Sequence, residues 1–345
     1  MRKPILIVCS LAVIGFLTLN HYNFSPLIYW TAKNEIRHML ENEHVTGDEF
    51  KFLFCGTGSP NRTPNRGQPC LALLAAGKLF LFDAGEGAIA KLREYGAPLS
   101  KLDKIFLTHL HSDHMSGVAE VLHNTWLYGR RNEVELVGPP DTEAMLANIN
   151  RVYHEDLVER QRVLGVENIS TELAFGSARD VVVNKGSMDV VYENNGLLIK
   201  AFHVDHKDWS HAYGYRIEYK GKSIVISGDT APSDGIRTYA KDADILIHEA
   251  LNEPLMTLIG EQFDELNGPI PGSRMKKISS VHTTTLELAE IAQHAKVKNL
   301  VLTHLIPALP SIWIAERFFV AGMDDIYGGD ITVAEDGQWM DVSKL

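Results

Sequence analysis

Three imidazoles and one carboxylate fall within six positions in the run Thr108-His109-Leu110-His111-Ser112-Asp113-His114. Neutral imidazole nitrogens and carboxylate oxygens are the donors that a borderline divalent cation such as zinc takes. A solvated polar loop would account for one or two of these residues, but it gives no reason for three histidines at this spacing. A loop at a strand end can turn several side chains into one cleft, whereas a continuous helix or strand would spread them apart. The flanks supply such a place. Residues 104–108 read as a buried strand, and helical periodicity resumes over 118–128 after Gly117.

Other polar residues sit in comparable places. Val204-Asp205-His206, Ser227-Gly228-Asp229-Thr230, Ile247-His248-Glu249 and Leu302-Thr303-His304 each close an apolar β-type run. Taken singly they are ordinary: Asp229 could be a turn residue, His304 a packed core histidine, and His206 competes with His203 and His211. Their shared position at strand ends makes them candidates to join the first run. Strands at 51–55, 71–75, 79–82, 134–137, 197–204, 214–219, 223–226, 245–248 and 299–303 alternate with helices at 88–95, 142–161 and 284–295. One layered α/β catalytic domain over 49–345 fits that alternation. Residues 251–281, with Gly260, Gly268, Pro269, Pro271 and Gly272, read as a long irregular loop or lid.

Together these motifs resemble the metallo-β-lactamase superfamily, in its ribonuclease Z and arylsulfatase-like branch. His-x-His-x-Asp-His at 109–114 is similar to the superfamily's metal signature, and Asp83-Ala84-Gly85-Glu86-Gly87 to its Asp-x-Gly loop beside the site. The resemblance implies a four-layer αββα sandwich and two divalent metal ions, zinc foremost, with manganese or iron as alternatives. One metal would take His109, His111 and His206; the other would take Asp113, His114 and His304; Asp229 would bridge them. Two cations roughly 3.5–4 Å apart can share a bridging hydroxide and stabilise both attacking and leaving oxygens. The resemblance also implies catalytic roles for Asp113 and Asp229. His248-Glu249-Ala250 is similar to an element of the ribonuclease Z branch, which implies a proton-donor or supporting role for His248; His282 could serve similarly. Oxygen-reducing di-iron members carry Glu where this chain has His111, so hydrolysis is implied rather than redox chemistry. Members often form homodimers.

Bulk properties bear on location and substrate. The 345 residues are 45% hydrophobic and 22% charged, enough for a large core, and the net charge is −11. Arg2 and Lys3 precede an apolar run over 5–19, so residues 1–22 read as a signal peptide or amino-terminal membrane anchor. Residues 23–48 read as a connector with an amphipathic helix around 28–40. The positive flank predicts an extracytoplasmic body, periplasmic or secreted. Cys55 and Cys70 could bridge two strand ends there, with separate burial as the alternative. An acidic surface repels phosphate backbones, so nucleic acid is not the expected partner. A ribonuclease Z would also carry a protruding arm rich in glycine and proline, and none is evident between 140 and 200. The expectation is therefore an exported hydrolase of a small sulfate or phosphate ester. A ribonuclease Z-like tRNA 3′ endonuclease is the alternative. A silent metal-binding scaffold or sensor is the reading from another class, and the complete ligand set argues against it.

Overall fold

The computed structural model describes residues 25–345 apart from 62, 166–169, 208 and 311. The predicted signal or anchor at 1–22 lies outside the described residues. The chain divides after His44. The described part of the first unit is the helix Ser25–Asn42, which contains the predicted helix and leaves Leu27, Ile28, Tyr29, Trp30, Ile36 and Leu40 exposed. No helix among the described residues is long and apolar enough to cross a membrane.

The second unit, Val45–Leu345, is built on two seven-stranded sheets. The first begins with β1 (Phe50–Gly56), β2 (Cys70–Ala75), β3 (Lys78–Phe82), β4 (Leu102–Phe106), β5 (Glu135–Gly138) and β6 (Ser177–Asp180). The second holds β7 (Met188–Asn194), β8 (Leu197–His203), β9 (Tyr213–Tyr219), β10 (Lys222–Ile226), β11 (Ile245–Leu251), β12 (Asn299–Ile306) and β13 (Asp330–Val333). β14 (Trp339–Asp341) returns to the first sheet beside β1. Antiparallel pairing joins β1 to β3 and β7 to β10, and parallel pairing continues from β3 to β6 and from β10 to β13.

Period-two alternation explains the layering. Phe52, Phe54, Leu73, Phe80, Phe82 and Phe106 face Ile199, Tyr215, Ile217, Ile224, Ile247 and Val301 across the space between the sheets. The intervening residues of the first sheet, among them Leu53, Ala72, Leu81 and Ile105, pack on Leu92, Val121, Leu122 and Leu146 of its helices. Val225, Leu246, Leu300 and Leu302 do the same with Ile236, Leu288, Ile291 and Phe319. Strands apolar on both faces need cover on both sides, which gives the four-layer αββα sandwich.

One local expectation is overturned, and one left open is decided. Residues 251–281 hold two helices, Glu253–Glu265 and Gly272–Ser279, rather than an irregular loop. The glycines and prolines that suggested a loop act at helix boundaries and contacts. Pro271 precedes the second helix, and a Cβ on Gly272 would lie 2.5 Å from the Gly260 carbonyl oxygen, so the pair permits close approach of the two helices. Met256, Met275, Leu251 and Ile306 form a small core beneath them. Cys55 and Cys70 are joined in a disulfide, with Cα atoms 4.9 Å apart, tying the end of β1 to the start of β2.

Candidate metal centre

All seven predicted ligands converge. β4 ends at Phe106, and the following loop carries His109 and His111 before a four-residue helix, Ser112–Met115, presents Asp113 and His114. His206 lies after β8, Asp229 after β10, and His304 within β12. His304 is the extra residue of a bulge, between the pairs Glu249–Thr303 and Ala250–Leu305, and its φ of 45° is left-handed. A bulge re-aims one side chain without ending the strand. All seven residues are buried except His111, which is half-buried.

Two groups of donors lie side by side. In the first, Nε2 of His109 is 2.8 Å and Nε2 of His206 3.3 Å from Nδ1 of His111. Asp229 stands beside them, its Oδ2 3.9 Å from Nε2 of His109. In the second, Oδ2 of Asp113 is 3.6 Å from Nε2 of His114 and 3.5 Å from Nε2 of His304. Oδ2 of Asp229 is also 3.4 Å from Nε2 of His114 and 3.3 Å from Nε2 of His304, so this carboxylate stands between the groups. Candidate ligand atoms within each group lie within 4.8 Å of one another.

Neighbouring groups fix which nitrogens point inward. Asp83, at a left-handed φ of 60°, accepts from the Thr108 amide at Oδ1 and from Thr108 Oγ1 at Oδ2, both at 2.8 Å. The same Oδ2 accepts from His114 Nδ1 at 2.7 Å. Nδ1 of His109 lies 3.0 Å from Thr108 Oγ1, and Nδ1 of His206 donates to the Val281 carbonyl at 3.0 Å. Each of these contacts turns an Nε2 toward the cluster.

The electrostatics suit a cation. Burial, reinforced by neighbouring imidazoles, lowers His111 to about 4 and holds His109 and His206 below the usual histidine range, so all three are neutral donors. Burial alone would raise Asp229, yet His304, His114 and His109 hold it far below the usual carboxylate range. Burial opposes charge on His114, but Asp229 and Asp83 overcome it and push the ring well up. The carboxylates thus demand positive charge at this point. Buried Oδ2 of Asp113, Oδ1 of Asp229 and Nε2 of His114 and His304 lack hydrogen-bond partners among the described residues. Orphaned buried donors of this kind fit divalent cations of the zinc type.

His248 is not in the cluster. β11 alternates, with Ile245 and Ile247 between the sheets and Leu246 toward the helices, and His248 follows Leu246. Its Nδ1 donates to the Glu249 carbonyl at 2.6 Å. The next residue turns toward the site: Oε1 of Glu249 accepts from Nδ1 of His282 at 3.1 Å and from the Thr283 amide at 3.0 Å. His282 lies with Asp229 and His304 within 4.8 Å, its ring stacked on His304. Burial works against a charged His282, but the Glu249 carboxylate outweighs it and lifts the ring to about 9. The cue available beforehand was the alternation itself, which sends residues 248 and 249 to opposite faces.

Comparison with known proteins agrees with this geometry. A family model described as "Beta-lactamase superfamily domain" matches residues 78–305. Ribonuclease Z of Mycolicibacterium paratuberculosis is 31% identical over 258 residues, covering 74% of this chain and 85% of that protein. Ribonuclease Z of Mycobacterium bovis is 29% identical over 262 residues, covering 75% and 87%. Among solved structures, human tRNase Z, short form, superposes with a TM-score of 0.60 at 23% identity, over 85% of this chain and 99% of that one. These relatives favour the ribonuclease alternative over the sulfate-ester reading. Their names also run against the expectation that nucleic acid is not the partner, since the curated relatives are named as ribonucleases.

Proposed function

Because the chain belongs to the β-lactamase superfamily, in its ribonuclease Z branch, we propose that this metallo-β-lactamase-fold hydrolase cleaves phosphodiester bonds of a nucleic acid. The observation that carries the reading is the junction of seven metal-type donors with the Glu249–His282 pair in one buried cluster. His109, His111 and His206 would hold one divalent ion, and Asp113, His114 and His304 the other, with Asp229 between them. Such ions, zinc foremost, supply charge that polarises a phosphodiester and lowers the pKa of an attacking water.

The protein's own groups do the rest. Asp83, Thr108 and the Val281 carbonyl lock imidazole orientation. Asp113 and Asp229 concentrate negative charge where cations and phosphate must meet. His282, held protonated by Glu249, can give its proton to the departing oxygen. An anionic substrate is further supported by Arg274, Lys276 and Lys277 on the helix Gly272–Ser279, which leads into His282. All three are exposed, and none has a carboxylate within ion-pair distance among the described residues.

A second reading, a small phosphate or sulfate ester in an oxidising compartment, draws support from the Cys55–Cys70 disulfide, a bond that persists mainly outside the cytoplasm. Assays of the metal-loaded protein on precursor tRNA, bis(p-nitrophenyl) phosphate and an aryl sulfate separate the two. Precursor tRNA cleaved at a single position, abolished by Asp229→Ala, is expected. Turnover of aryl sulfate without turnover of either phosphodiester would overturn the proposal.

A further inference from the structure

Trp209 stands at the rim of the cluster without contributing to any apolar core. It lies on the connection between β8 and β9 that also carries His206. That loop is closed at its base by the Val204 amide donating to the Ala212 carbonyl at 2.9 Å, and Asp205 bridges to Ala231. The Trp209 amide donates to the His206 carbonyl at 3.2 Å, so the indole is tied to a candidate ligand. Its ring centroid is 4.5 Å from His111 at 81° and 6.0 Å from His109 at 75°. It is half-buried, and no described ring lies parallel to it. Beyond edge-to-face contact with His111 and His109, so large an apolar ring in an otherwise polar loop has no stacking reward among the described residues. A planar substituent on the substrate would supply one, because every base and aryl group offers a π-face.

We propose that Trp209 is a specificity-determining stacking platform for the planar ring that flanks the scissile phosphate, a nucleobase foremost. This rests on the phosphodiester reading above and adds to it the group beside the reacting phosphate. The test compares adenosine 5′-monophosphate with ribose 5-phosphate as competitive inhibitors of bis(p-nitrophenyl) phosphate hydrolysis by the metal-loaded enzyme. The two inhibitors share the sugar phosphate and differ only in the base. The base is expected to tighten inhibition about tenfold, from the usual gain of one base–aromatic stack. Trp209→Ala should erase that difference while leaving ribose 5-phosphate inhibition unchanged, and Trp209→Phe should restore most of it. A readout independent of turnover is tryptophan fluorescence: adenosine 5′-monophosphate should quench the wild-type protein, ribose 5-phosphate should not, and Trp209→Ala should abolish the response. Equal inhibition by the two ligands in wild type, or equal weakening of both in Trp209→Ala, overturns the platform. Base-dependent quenching in a protein without phosphodiester turnover would retain the platform and overturn the proposed function instead.

Discussion

Asp83→Asn tests whether the cluster is a metal centre or a buried polar network. Asp83 makes three hydrogen bonds at 2.7–2.8 Å, two with Thr108 and one with Nδ1 of His114. Asparagine is nearly isosteric and tolerates the left-handed φ of 60°, so backbone strain does not confound the comparison. Its amide has one acceptor oxygen, so it cannot accept from both edges as the carboxylate does. His114 then loses the carboxylate that holds its ring and keeps at best a neutral amide oxygen. Loss of such a supporting carboxylate weakens metal binding by about 10–100-fold, or roughly 1.4–2.7 kcal/mol. The effect should fall on the ion held by Asp113, His114 and His304. Elemental analysis after dialysis against graded chelator should show wild type keeping two ions per chain where the variant keeps about one. Circular dichroism of the variant should still report a folded sandwich. Two ions retained at the wild-type chelator midpoint would refute the supporting role given to Asp83.

Glu249→Gln removes the carboxylate that lifts His282 to about 9, so burial takes over and the ring falls below its ordinary 6.5. A raised pKa keeps the proton on up to about pH 9; the alkaline limb of kcat should therefore move acidward by about two units or more in the variant. An unmoved limb excludes His282 as the donor. The disulfide closes a separation of 15 residues, so Cys55→Ser with Cys70→Ser should cost ~3 kcal/mol in urea unfolding, and a loss under 0.5 kcal/mol would place the bond's role elsewhere. Lys276→Glu with Lys277→Glu should weaken binding of a single-stranded oligonucleotide and flatten its log affinity against log salt by about 1.4, from two phosphate contacts at about 0.7 each. Turnover of bis(p-nitrophenyl) phosphate, which has no flanking phosphates, should stay within about twofold of wild type, since these exposed side chains lie outside the cluster; equal losses on both substrates would show structural damage instead.

What was legible in the sequence is what is local in it. His109 to His114 sit on one strand-end loop and its short helix, so the type and spacing of a few residues carried their meaning. The layered α/β class followed from apolar runs of strand length alternating with helical periodicity. His206, Asp229 and His304 were legible as strand-end residues, although the backbone device that aims His304, a left-handed bulge residue, leaves no compositional trace. His282 was named as a candidate, but two pairings were not foreseen because each depends on a partner distant in sequence. Glu249 and His282 are 33 positions apart and meet only through the fold. The pair Gly260 and Gly272 looks like loop composition until two helices are seen to pack through it.

The proposed function departs from the expectation against nucleic acid, and the reason that expectation is a weak one is a matter of scale. A net charge of −11 describes the far field of the chain, and at physiological ionic strength charges are screened beyond roughly 8 Å. A phosphate close to His282 therefore responds chiefly to the groups nearest it. Lys276 and Lys277 precede that histidine by six and five residues, on a helix that ends at Ser279, three residues before it. Nearby carboxylates need not oppose a phosphate either. Asp113 and Asp229 are acidic by count, yet their surroundings already demand cations, and filled with cations the same residues become part of an anion-binding centre. In a metal-dependent hydrolase the formal charge of the apo chain is therefore a poor guide to the site, because Asp113 and Asp229, two of its 44 acidic residues, count as negative in the total yet recruit positive charge to the site.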